Sequence, residues 1–218
     1  MLYSPGHFQQ CDPDQILGLI LARPLAVLVT VGGGRILVSH VPMRHVAEAE
    51  GPGHLIGHLA RANPQAREYD ETVEAIAVFT GPNTYVSPSA YATKRETGKV
   101  VPTWNYAAVY AFGRLEFLDD HDGKHGVVDA LTTHFESKRE PPWAVSDAPD
   151  EFVKTQLTAV RGFRFRIARL EGKWKLSQNR SEADRSGVMR DLGESTDGAD
   201  NDVAAMMRAL YGAPDAGT

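Results

Sequence analysis

The chain has 218 residues, 42% hydrophobic and 23% charged, the balance of an ordinary folded protein rather than a disordered or fibrous one. Its single cysteine excludes a disulfide within the chain and a thiolate-built structural zinc, and a chain this long buries enough surface to hold a core without such staples. A net charge of −5 has the wrong sign for gripping phosphate backbones over a broad face, and no run approaches ~18 uninterrupted apolar residues, so neither direct nucleic-acid binding nor a membrane partner is expected and a cytoplasmic location is.

In chain order, Asp12, Pro13 and Gln15 combine an N-cap, a first-turn proline and a capping partner ahead of Ile16, Leu17, Leu19 and Ile20 on one helical face, and Pro24 stops that helix. Leu25 to Val31 and Ile36 to Val41 read as two strands joined by a turn at Gly32 to Gly34. His54 to Leu59 is a third strand, Asn63-Pro64 opens a short helix through Tyr69, and Val73 to Phe79 is a fourth strand that Gly81-Pro82-Asn83 closes. Ser87-Pro88 starts a helical turn, and Lys94 to Lys99 reads as a polar surface loop.

A long strand follows from Tyr106 to Leu118, with Arg114 and Glu116 on its polar face. Asp119 or Asp120 caps a helix carrying Val127, Val128, Leu131 and Phe135, and a second helix carries Phe152, Val153, Leu157 and Val160. Phe163-Arg164-Phe165-Arg166-Ile167 alternates strictly, as a half-buried antiparallel strand does, and the alternation resumes at Trp174-Lys175-Leu176 after a break at Gly172. Ser181 and Asp184 suit the start of a helix that Gly193 ends. These roughly six strands with late helices predict a mainly β fold, an antiparallel barrel with peripheral helices, over residues 1–192. Residues 193–218 form an acidic tail with helical spacing at Val203 to Leu210.

Familiar catalytic signatures are missing. Gly32-Gly33-Gly34 is a hairpin turn and not a dinucleotide-binding fingerprint, and there is no G-x-S-x-G elbow and no P-loop. His54 and His58 share a strand face, but no third ligand accompanies them, so no metal site is expected.

Three segments offer binding chemistry. In His58-Leu59-Ala60-Arg61-Ala62-Asn63-Pro64 a strand ends in an arginine and turns into a capped helix, so an anion there would meet a guanidinium, free backbone N–H groups and the helix dipole; the same residues also make a good cap and nothing more. Gly98 to Tyr106 packs a cation, hydroxyl and amide groups and an aromatic face around Pro102, the pieces a flat polar heterocycle requires, or else an edge-strand entry. Leu170 to Arg180 places two lysines about a tryptophan and then four polar side chains, which also describes an amphipathic strand running into a cap.

Together with the opening Tyr3-Ser4-Pro5-Gly6-His7-Phe8, these segments resemble the PaiB-like FMN-binding regulators of the FMN-binding split-barrel superfamily, over residues 1–192. The resemblance implies a six-stranded antiparallel split barrel, homodimeric, with FMN in two clefts between the subunits. Residue by residue, it implies that Ser39, His40, Val41 and Pro42 lie against the isoalloxazine and that His58, Ala60, Arg61 and Asn63 hold the flavin and its phosphate. Lys99, Val100, Val101, Thr103, Trp104 and Asn105, with Lys173, Trp174, Lys175, Gln178 and Asn179, would complete the pocket, one set donated by the partner chain. No helix-turn-helix is present, and the cluster Arg161, Arg164, Arg166 and Arg169 reads as a solvated sheet face, so the regulatory role comes by resemblance alone and would be indirect, through flavin or redox sensing. A flavin-dependent oxidoreductase using NAD(P)H is the alternative. Haem binding, with His40, His54 or His58 as axial ligand, is the weaker one.

Overall fold

The computed structural model describes residues 2–212. After a 3-10 turn at Gly6–Phe8, the two-residue strand β1 (Gln9–Gln10) leads into α1 (Pro13–Ala22), where the Asp12 carboxylate accepts from the Asp14 N–H at 2.9 Å. β2 (Leu25–Gly32) and β3 (Arg35–Pro42) form the expected hairpin, in full antiparallel register from Leu25↔Pro42 to Gly32↔Arg35. Gly33 and Gly34 turn it at φ 56° and 72°, values only a residue without a side chain adopts at low cost. β4 (Arg44–Val46) pairs with β5 (His54–Ala60), and α2 (Pro64–Glu68) follows on the Asn63 cap.

β6 (Ala75–Val86) runs straight through Gly81-Pro82-Asn83 instead of ending there. It pairs with β2 only over Ile76–Val78, so Pro82, which has no N–H to donate, lies beyond that pairing and breaks no bond to β2. Lys94 to Lys99 is likewise no loop: α3 (Ala92–Thr97) is helical, closed by Gly98 at φ 68°. β7 (Thr103–Leu118) and β8 (Val160–Lys175) are single strands, the latter continuous through Gly172, and between them lie α4 (His121–Glu136), capped by Asp120, and α5 (Asp150–Thr158). Phe135 and Phe152, expected in helix cores, are 41% and 56% exposed. α6 (Glu182–Gly193) begins on the Ser181 cap, and the amphipathic patch of the tail belongs to α7 (Gly198–Tyr211).

The strands form one eight-stranded sheet in the order β3-β2-β6-β7-β8-β5-β4, with β1 on β8. The two beyond the expected six are β1 and β4, two and three residues long and too short to show alternation. By packing the chain divides into two compact units, and β6, β7 and β8 run from one into the other. The first takes residues 2–15, 80–109 and 171–212 of those described, and the second takes 16–79 and 110–170.

In the second unit Leu28, Leu55, Phe79, Phe163 and Phe165 are fully buried, each contributing about 1.5–3 kcal/mol. Gly57 is required beside Phe163, whose Cζ would lie 2.5 Å from a Cβ at that position. α4 lays Val127 and Leu131 on Ile56. In the first unit α6 and α7 pack together and bury Val188, Met189 and Leu192 along with Val203, Ala204 and Met207. Among the described residues no helix is long and apolar enough to cross a membrane.

Candidate functional site

The candidate residues fall into two sets, one in each unit. In the second unit the edge strand β3 divides Ser39 to Pro42 between its faces: Ser39 and Val41 point inward, His40 and Pro42 outward. Ser39 Oγ accepts from Asn63 Nδ2 at 2.8 Å, which joins two of the sequence-derived segments. Asn63 is the N-cap of α2; its Oδ1 accepts from the Gln65 N–H at 2.9 Å and its carbonyl accepts from Ala66 at 3.0 Å. Pro64 has no N–H, so the first turn of α2 offers an anion none of the free N–H groups that the sequence suggested.

What the turn does offer is Arg61. Its backbone N–H donates to Ala159 O at 2.8 Å and its Nε to Thr158 O at 3.0 Å, which fixes an exposed guanidinium whose terminal nitrogens make no hydrogen bond among the described residues and whose charge acts on the Asp119 carboxylate. Ala60, exposed at the end of β5, pairs with Val160, and His58 pairs with Gly162. His58 Nδ1 is buried without a hydrogen-bond partner, and burial holds the ring below its ordinary pKa of 6.5. Of the other histidines considered, His54 Nδ1 meets the Glu48 carboxylate at 2.6 Å and His40 is exposed.

In the first unit Lys175 joins the two remaining segments. Its Nζ donates to Thr103 Oγ1 and to the Trp104 carbonyl, both at 2.5 Å. Burial, and then the charges of Lys173 and Arg180, hold this amine below its ordinary range. Lys173 is 8% exposed, donates to Tyr3 O at 2.9 Å and lies 5.5 Å from the ring centres of Tyr3 and Tyr106. The Trp104 indole is 49% exposed and held in place, its Nε1 donating to Asn83 Oδ1 at 3.2 Å and its ring meeting Tyr85 edge to face at 6.3 Å. Asn83 and Tyr85 went unnoticed in the sequence because that stretch reads as a turn; the alternation of Thr84, Tyr85 and Val86 was the available signal.

The rest of this set divides into exposed groups and supports. Lys99, Val101 and Asn179 are exposed and Val100 is half-buried, with its N–H on Gly98 O at 3.0 Å. Asn105 is fully buried, its Nδ2 donating to Ser177 Oγ at 3.0 Å, and Trp174 is buried as well. Gln178 folds back on its own turn, Oε1 accepting from Leu176 N at 2.7 Å and Nε2 donating to Trp174 O at 2.6 Å. The structure therefore leaves exposed Trp104, Lys99 and Asn179, with half-buried Lys175 beside Trp104, as the predicted groups of this unit with binding chemistry still on offer.

The arginine cluster is largely neutralised within the second unit. Arg161 makes two bonds to the Asp119 carboxylate, at 2.7 and 2.6 Å, Arg169 meets Glu74 at 2.6 Å, and Arg166 pairs with Glu116. Among the described residues no group of three or more His, Cys, Asp or Glu is placed to hold a metal ion.

Comparison with known proteins gives a consistent outcome. Residues 2–169 match the family described as "Putative FMN-binding domain". An uncharacterized protein of Aspergillus fumigatus is 37% identical over 170 residues, 63% of this chain and 65% of that protein. The protease synthase and sporulation protein PAI 2 of Bacillus subtilis is 27% identical over 194 residues, 88% of this chain and 89% of the relative. Among solved structures, the FAD and haem binding protein of Mycobacterium smegmatis shares the fold at a TM-score of 0.55 and 19% identity, covering 77% of this chain and 73% of that one.

Proposed function

The chain belongs to this family of FMN-binding domains, and from that premise we propose that it binds FMN as a homodimer and acts as a flavin- or redox-responsive protein. The flavin phosphate is met by Arg61 and the ring by the Thr103–Trp104–Lys175 surface of the partner protomer. The observation that carries this reading is Lys175 held at 2.5 Å on both Thr103 and Trp104, which sets a cation and hydrogen-bonding groups beside a fixed, exposed indole. A tricyclic ring that is flat, polar at one end and apolar at the other suits that combination. When bound, FMN supplies reversible electron and hydride chemistry.

Dimer formation is supported by the outer face of β2, β3 and the start of β6. Leu25, Ile36 and Val38 are 57%, 73% and 57% exposed there. Half-buried Val27, Val29, Val31, Ile76 and Val78 sit on the same face, in register. At strand spacings this face, interrupted by His40, measures about 26 by 14 Å, the size of the largest apolar patch on a typical monomer, which is often functional. A second copy laid against it covers it.

Action on DNA by direct contact is disfavoured by the pairing of Arg161, Arg166 and Arg169 with carboxylates, so the regulatory role runs through the flavin. The test is a titration of the purified protein with FMN, followed by light scattering of the wild type and Val38→Asp. The expected results are saturable binding, a dimeric wild type and a monomeric variant. A colourless protein that ignores FMN overturns the reading, and so does a monomeric wild type. Anaerobic NADH or NADPH then separates sensor from enzyme: rapid bleaching of the bound flavin favours the oxidoreductase alternative, and persistent colour favours the sensor.

A further inference from the structure

The matched family region ends at residue 169, before Lys173, so the corner that presents Lys175 and everything after it lies outside that match. This corner is sharply bent. Leu176 is buried, and Ser177 sits at φ 68°, left-handed backbone that any side chain disfavours. Asn105 holds it there through a reciprocal pair, Nδ2 donating to Ser177 Oγ at 3.0 Å and Ser177 Oγ donating to Oδ1 at 3.3 Å. Gln178 ties the backbone on both sides of Lys175 by its bonds to Trp174 O and Leu176 N.

Behind this corner stands α7. Tyr211 Oη donates to the Leu176 carbonyl at 3.1 Å, and Asn105 Nδ2 also reaches Met207 Sδ at 3.6 Å. The Arg185 guanidinium covers the Tyr211 ring at 4.7 Å, and the far end of the helix is anchored where Thr84 Oγ1 donates to Asp200. Burial raises the Tyr211 pKa, which keeps the hydroxyl a donor well into the alkaline range. A lysine side chain has four flexible bonds and loses much freedom on binding; fixing the backbone on either side removes part of that cost in advance.

We infer, resting on the flavin reading above, that α7 is a clamp on the binding surface and that Tyr211 is a positioning residue for Lys175. It touches no ligand itself. Its hydroxyl holds the Leu176 carbonyl, which sets the direction in which Lys175 meets Thr103 and Trp104.

The test is Tyr211→Phe, which removes one hydroxyl and keeps the half-buried ring. Two measurements are made on the full chain: amide hydrogen exchange of residues 174–180, and FMN affinity by flavin fluorescence. Faster exchange at 174–180 is expected with residues 54–60 unchanged, together with a melting temperature lower by a few degrees at most and an FMN Kd raised by up to about tenfold, the ceiling set by one lost hydrogen bond. Unchanged exchange at 174–180 overturns the clamp. Faster exchange with unchanged FMN affinity overturns its coupling to the site. A wild type that binds no FMN removes the flavin reading and leaves the exchange result to decide the clamp alone.

Discussion

Replacing Arg61 by alanine separates structural from ligand bonds within one side chain. The variant keeps the backbone N–H bond to Ala159 O and loses only the Nε bond to Thr158 O, 3.0 Å long and exposed. A bond of that kind contributes about 0.5–1.5 kcal/mol, so for a chain of this size the melting temperature falls by a few degrees at most. The two uncommitted terminal nitrogens are the groups assigned to the flavin phosphate, and a charge-assisted bond there is worth about 1.5–3 kcal/mol. That converts to an FMN Kd roughly 10- to 150-fold higher. Arg61→Lys keeps the charge without the planar fork and falls between the two. The assay is calorimetric or fluorescence titration at fixed ionic strength, with riboflavin as the phosphate-free control, whose affinity the substitution leaves alone. An FMN affinity within twofold of wild type, or a riboflavin affinity that drops as far as that of FMN, removes Arg61 from the phosphate role.

Two further predictions concern the strand that leads to Arg61. His58 is held below 6.5 by burial, so as pH falls beneath about 6.5 the unfolded chain takes up a proton that the folded chain refuses; stability is lost with acidification until the folded-state pKa is passed, and is complete above 6.5. His58→Gln lacks this term, and urea titrations from pH 7 to 5 are expected to show a shallower decline than wild type; parallel declines refute it. Gly57→Ala drives a methyl to 2.5 Å from Phe163 Cζ and 3.1 Å from both Cε atoms, in a core where that ring is fully buried. Overpacking of this kind costs about 1–3 kcal/mol, visible as a drop of several degrees in thermal unfolding, and an unchanged midpoint means the ring has room that the structure does not show.

Local chemistry made much of the fold legible beforehand. The Gly33-Gly34 hairpin, the caps at Asn63, Asp120 and Ser181, and the alternation around Phe163 and Phe165 are signals that span a few residues, and each leads to the element found. Where the expectations failed, the pattern was ambiguous at that range. Gly81-Pro82-Asn83 has turn composition, but β2 stops pairing before it, so Pro82 costs no bond to β2 and the strand continues. Lys94 to Lys99 is polar, but its residues favour helix and Gly98 ends it. The four segments thought to bind flavin were also visible as residue types.

Which of those side chains remain free to bind was decided by partners far along the chain. Asn63 spends its amide on Ser39 and on its own helix start, and Asn105 spends its amide on Ser177, 72 residues away. Lys175 stays at the surface of its site because Thr103 and Trp104 receive it there, and α7, which the sequence shows only as an amphipathic stretch, braces that corner through Tyr211. A sequence states which donors and acceptors exist and how often apolar residues recur. Once buried, each polar group must find a partner, and only the folded chain determines which partner lies within reach and which groups are left for a ligand.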